Sequence, residues 1–307
     1  MSPIFSQIIV MFTIMPVGFA CAKAKLITPE VNKGFSNLAL MVVNPLMTFS
    51  SYQTDYSPEI ARGLLHAFLL SIASFALQIF ISHILVGKGS KEYKIERMSV
   101  MLSNCSYFGL PLVQSVYGKE GIIYLTAYVT VFNLINWTYG LCLMSGERDV
   151  RKMLRSFVNP AIISVALGAT LFFLNFKLPP VLLSTVKTVG SMNTPIAMMI
   201  AGSTLAGTKF ERALKNVKVY YVCLLKLIVV PAVVMVFMLL VGKRFASPEV
   251  INIILIASAC PTATIITMFS HRYSRNSVYS SEIFAVCTLL SAITLPAMLK
   301  IASIIGI

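Results

Sequence analysis

The chain has 307 residues, of which 57% are apolar and only 12% charged, and its mean hydropathy is +0.83. That composition excludes an ordinary soluble domain and marks an integral membrane protein. The net charge of +14 does not point to nucleic acid, because the basic residues are scattered over short loops instead of gathering in one domain.

A bilayer core of about 30 Å takes roughly 20 helical residues to cross. Taken in chain order, ten stretches are long and apolar enough: 4–22, 34–53, 63–86, 97–117, 121–144, 157–175, 185–206, 217–241, 249–270 and 278–304. They are continuously apolar, whereas the strands of a membrane barrel would alternate in polarity over about ten residues. The expected fold is therefore an all-α integral membrane protein of ten transmembrane helices. No basic residue precedes the first apolar run, since Lys23 is the first in the chain. That run is expected to stay as a membrane helix instead of being removed as a signal peptide.

Loop charges set the expected orientation. Seventeen of the 25 basic residues fall on one side: Lys23, Lys25 and Lys33; Lys88, Lys91, Lys94 and Arg97; Arg148, Arg151, Lys152 and Arg155; Lys209, Arg212, Lys215 and Lys218; Arg272 and Arg275. Seven fall on the other, namely Arg62, Lys119, Lys177, Lys187, Lys243, Arg244 and Lys300, and Lys226 lies inside a span. The positive-inside rule then places both termini outside the cytoplasm.

Sliding the sequence on itself by 150 positions superposes Gly18 on Gly168, Pro29 on Pro179, Pro45 on Pro195, Arg62 on Arg212 and Pro111 on Pro261. Two halves of five helices are expected, 1–144 and 157–307, joined by a short basic linker at 145–156. Five is odd, so the second half enters the membrane from the opposite side. Such inverted repeats are characteristic of secondary transporters.

The polar groups inside the spans are the candidate site. The fourth span contains SNCSYFGLP, with Ser103, Asn104, Ser106, Gly109 and Pro111, and the ninth contains ACPTAT, with Pro261, Thr262 and Thr264. Proline removes a backbone donor and glycine adds freedom, so both helices are expected to open at these prolines. Broken backbone at mid-membrane must be buried in protein or line a cavity. Two breaks that meet would offer helix N-termini and freed amides to an anion. Asn104 is the sharpest candidate, because a buried amide needs partners. Asn44 and Thr194, just before Pro45 and Pro195, are weighed evenly between facing the site and bonding locally.

Lys226 and Glu282 are the ionisable groups deepest in the spans, eight residues in from Lys218 and seven in from Arg275. A proton-coupling or substrate-countering role is weighed against an ion pair between them, or against Lys226 reaching the interface. The six cysteines lie within spans without metal-ligand spacing and read as packing residues. His66, His83 and His271 lie near span ends. No catalytic constellation and no GxxxxGK[ST] loop is present, so neither an enzyme nor an ATP-driven pump is expected, and no metal or cofactor is implied.

The Asn44–Pro45 pair, the run from Ser103 to Gly118, VNPAIISVALG from Val158 to Gly168, Leu178–Pro179, SMNTPIAMMIAGSTLA from Ser191 to Ala206 and the ACP of the ninth span together resemble the auxin efflux carrier family. That family includes bacterial permeases for dicarboxylates such as malate and malonate, and the plant PIN-FORMED auxin carriers. The resemblance runs over essentially the whole chain. It implies two inverted five-helix repeats in which helices four and nine cross at Pro111 and Pro261, with Asn104, Ser103 and Ser106 on the polar approach. The plant carriers have a long cytoplasmic loop where this chain has only 145–156, which makes it look like a small permease of a bacterial cytoplasmic membrane.

A carrier of small organic anions is thus expected, with an exporter of an auxin-like weak acid as the alternative. Its partners would be the substrate and the lipid bilayer, without nucleic acid. The coupling ion, H+ or Na+, and a homodimeric state are left open.

Overall fold

The computed structural model describes residues 3–146, 160–208 and 210–306. Most of the expected linker at 145–156 lies outside these residues. Among the described residues the secondary structure is helical, apart from one isolated pair of bridged residues. Apolar runs surrounded by hydrocarbon satisfy their backbone groups only by bonding within the segment, which selects helix.

The first half runs α1 (Pro3–Lys23), α2 (Pro29–Leu38), α3 (Asn44–Ser51), α4 (Pro58–Leu85), α5 (Tyr93–Met101), α6 (Leu110–Ile135) and α7 (Leu141–Ser145). The second runs α8 (Pro160–Phe173), α9 (Pro180–Gly190), α10 (Asn193–Ala206), α11 (Phe210–Lys215), α12 (Val217–Leu224), α13 (Val230–Leu240), α14 (Pro248–Ala259), α15 (Ile265–Arg272) and α16 (Ser277–Ile304). Among the described residues four stretches are long and apolar enough to cross a membrane unaided: Ser6–Lys23, Pro58–Leu85, Val217–Arg244 and Ser277–Ile304. The expected spans 34–53, 97–117, 185–206 and 249–270 are instead built from shorter helices joined at interruptions.

Three helices begin on the same local chemistry. Thr28-Pro29-Glu30, Ser57-Pro58-Glu59 and Ser247-Pro248-Glu249 each place a hydroxyl at the N-cap, a proline in the first turn and a carboxylate beside it. Each hydroxyl accepts from a free backbone N–H, at Val31, Glu59 and Val250 respectively. The proline sacrifices no intrahelical bond there, and the carboxylate suits the positive helix end.

Prolines deeper in the chain are absorbed differently. Pro45, Pro111 and Pro231 each sit two residues after a π-turn: Ala39–Val43, Cys105–Gly109 and Leu225–Val229. In each turn the residue before proline donates five residues back, from Asn44 to Ala39, from Leu110 to Cys105 and from Val230 to Leu225. The wider turn makes room for the ring where a regular turn would clash, so the helix continues through a local bulge.

Packing follows the needs of a body that faces lipid. On α4, Ser71, Ser74, Gln78 and Ser82 are fully buried, while Leu65, Leu69, Ile72, Phe80 and Ile84 face outward. Gln78 Nε2 donates to Ser74 Oγ at 3.2 Å and to the Tyr128 hydroxyl at 3.0 Å, tying α4 to α6. Helices α1 and α10 cross so closely that a Cβ on Gly202 would stand 2.0 Å from the Met15 carbonyl oxygen, and one on Gly18 2.4 Å from that of Met199. Only glycine admits such an approach. A second close contact puts Gly168 of α8 against the ring of Tyr52.

Candidate functional site

Two interruptions meet inside the helical body. Between α5 and the π-turn that leads into α6, Leu102–Asn104 leaves the helix, with Leu102 extended at φ −99° and ψ 119°. Between α14 and α15, residues 260–264 do the same, with Cys260 at φ −58° and ψ 150°. Ser103 and Thr262 form an antiparallel bridge. Asn104 N donates to Pro261 O at 2.7 Å, and Ala263 N donates to Leu102 O at 3.1 Å. Each break therefore supplies the partners that the other lost, which is what permits unwound backbone away from water.

The position of the first break corrects the sequence expectation. Pro261 lies in the second break, but Pro111 sits in the first turn of α6, beyond the π-turn, and takes no part in the bridge. Gly109 likewise has ordinary helical angles, φ −68° and ψ −45°. The backbone opens at Ser103 and Asn104, whose polar side chains were visible in the sequence, and not at the glycine and proline. The reason is the π-turn, which accommodates Pro111 without unwinding.

A cavity lies against the crossing. Its polar wall includes Asn44, Thr48, Ser103, Asn104, Ser106 and Thr264, and its apolar wall includes Met41, Leu110, Phe132 and Trp137. None of the described side chains lining it is charged. Asn104 is buried, and its Nδ2 has no hydrogen-bond partner; the same holds for Asn44 Oδ1 and for the hydroxyl of Tyr107, which also lines the cavity. Buried polar groups without partners carry a desolvation cost that a bound polar ligand relieves. At the crossing itself the negative C-terminal ends of α5 and α14 adjoin the positive N-terminal ends of the Cys105 turn and α15.

The remaining candidates are placed as follows. Ser106 lines the cavity, and its carbonyl accepts from Asn193 Nδ2 at 3.4 Å. Thr262 is buried at the bridge with its hydroxyl unpartnered, but it does not line the cavity. Thr194 does not line it either. Its neighbour Asn193 is the buried residue that reaches toward the crossing, so the register before Pro195 is one residue from that before Pro45.

Lys226 and Glu282 do not form an ion pair. Lys226 is wholly buried and donates to Ser103 Oγ at 2.5 Å and to Ser258 O at 3.3 Å, so it neither snorkels nor meets a carboxylate. Glu282, also wholly buried, has Arg212 Nε 3.2 Å from its Oε1. That is ion-pair distance without hydrogen-bond alignment, and neither carboxylate oxygen receives a hydrogen bond. All six cysteines are free thiols, and no cluster of metal-ligating side chains occurs among the described residues. His83 Nε2 meets the Tyr139 hydroxyl at 2.9 Å, and His66 packs on Phe245.

Sequence reasoning missed Tyr107, Asn193 and Trp137. Tyr107 stood within the quoted polar run, and its phenol in a membrane span was a usable signal; the other two depend on helix register, which the sequence alone leaves open.

Apolar helices of membrane-crossing length, together with a cavity against the crossing of two broken helices, mark an integral membrane protein of the transporter class. Residues 3–299 match the family described as membrane transport protein, and the chain belongs to this family, that of the auxin efflux carriers. No curated protein matches the chain.

Proposed function

We propose that this protein is a secondary carrier of small organic anions that binds its substrate in the cavity at the crossing. The observation that carries this reading is the Ser103–Thr262 bridge, because it holds two helix N-termini and the unpartnered Asn104 amide beside one cavity. Amide donors and helix N-termini meet a carboxylate at the cavity wall, and the Lys226 ammonium lies behind that wall on Ser103 Oγ. In this reading the chain forms ten spans in two inverted halves, 1–144 and 157–307, with both termini outside the cytoplasm of a bacterial cell. The α1–α10 and α3–α8 contacts, which hold Gly18 and Gly168 in close approach, would be images of one another when the halves exchange. Such an exchange is the physical basis of alternating access.

The wall chemistry narrows the substrate class. Trp137, Phe132, Leu110 and Met41 offer apolar surface, and among the described residues no cationic side chain lines the cavity. One carboxylate on an apolar body therefore fits better than a compact dicarboxylate, whose second charge would lose its hydration without compensation. Uptake of radiolabelled mono- and dicarboxylates into proteoliposomes tests the reading. Saturable uptake of an apolar monocarboxylate is expected; folded protein that moves no organic anion would overturn it.

A further inference from the structure

Lys226 lies in the π-turn Leu225–Val229, and its ammonium reaches the crossing from behind. It donates to Ser103 Oγ at 2.5 Å and to Ser258 O at 3.3 Å, and Ser103 Oγ donates to the same Ser258 carbonyl at 3.2 Å. Ser258 is the penultimate residue of α14. Its carbonyl is one of those that a helix end leaves without an intrahelical partner, at the negative pole of the dipole.

No carboxylate of the described residues lies within ion-pair distance of Lys226, and Glu282 stands beside Arg212. The ionisable groups near the ammonium include the buried thiols of Cys105, Cys260 and Cys287. The positive charge is thus held by a hydroxyl and a helix-terminal carbonyl. In transporters with broken helices these oxygens, at half-helix C-termini, are the ones that coordinate a coupling cation.

We propose that Lys226 is a tethered cation: its ammonium fills the oxygen site at the C-terminus of α14 that a diffusible monovalent cation would otherwise occupy, so the crossing takes up no Na+. This goes beyond the anion reading and leans on it only for the consequence that flux needs no Na+. The chemistry also says what happens when the ammonium goes. Alanine leaves a space lined by Ser103 Oγ and Ser258 O, into which Na+ fits; methionine fills the same space without charge or donors.

The test is thermal unfolding of purified protein in NaCl against choline chloride at equal ionic strength, for wild type, Lys226→Ala and Lys226→Met. Wild type should melt at the same temperature in both salts. Lys226→Ala should melt several degrees lower in choline and recover saturably as Na+ is added, because a ligand that binds only the folded state raises its stability by mass action. Lys226→Met should be lowered without recovery. A saturable Na+ shift in wild type overturns the proposal, and so does a Lys226→Ala protein that melts independently of Na+. The wild-type arm keeps the proposal falsifiable even if both variants fail to fold. No organic anion is present in the assay, so a failure of the anion reading leaves these outcomes untouched.

Discussion

Two kinds of interruption occur in this chain, and they differ in what they do with the backbone. At Pro45, Pro111 and Pro231 the helix swells into a π-turn and continues, and Pro16 and Pro296 stay inside α1 and α16. At Leu102–Asn104 there is no proline, yet the helix opens fully and pairs with the break at 260–264. A proline is therefore not required for a buried helix to unwind, although Pro261 stands in the second break. What is required is a second strand of backbone that can accept and donate the released bonds.

That contrast can be broken or sharpened by substitution. The largest effect is expected from Asn104→Pro, which deletes the N–H that donates to Pro261 O at 2.7 Å and leaves a buried carbonyl unpaired. The cost is about 1–3 kcal/mol for the lost partner alone, and transport should vanish, read as melting temperature and liposome uptake. Gly202→Leu should come next, because its Cβ would stand 2.0 Å from the Met15 carbonyl oxygen. Forced separation of α1 from α10 should lower stability by roughly 1–3 kcal/mol without altering the crossing itself.

Asn104→Ala should leave the fold intact, since the backbone bonds remain, while substrate affinity falls on the order of tenfold for one lost hydrogen bond of about 1.4 kcal/mol. The smallest effects belong to the residues that sequence alone would favour. Gly109→Ala should be close to neutral, because the nearest atoms to a new Cβ are 3.6 Å away and the backbone is helical. Pro111→Ala should likewise change stability by less than about 1 kcal/mol, as the π-turn already absorbs the ring. Loss of uptake in either variant would return the hinge to the glycine and proline.

The helical class and the four long spans were legible because continuous apolar runs have one solution in lipid, and their expected ends differ by only a few residues from those observed. The polar run at Ser103–Ser106 was also legible as a place of interest. Its geometry was not, since Asn104 bonds to Pro261 and Lys226 to Ser103, partners far apart in sequence. The same limit explains why an ion pair between Lys226 and Glu282 stood among the readings weighed and is not found. Equal depth from one face says nothing about which side of a helix each charge occupies, and Arg212 reaches Glu282 from another element. The exchange of Thr194 for Asn193 is a register effect of the same origin.

The central claim is that the crossing of the two breaks, and not the proline of α6, forms the binding site. It is tested most directly by measuring saturable binding of a radiolabelled monocarboxylate to wild type, Asn104→Ala and Pro111→Ala side by side in a scintillation proximity assay. The account predicts weakened binding in Asn104→Ala and wild-type binding in Pro111→Ala. Unchanged binding in Asn104→Ala together with loss in Pro111→Ala would contradict it.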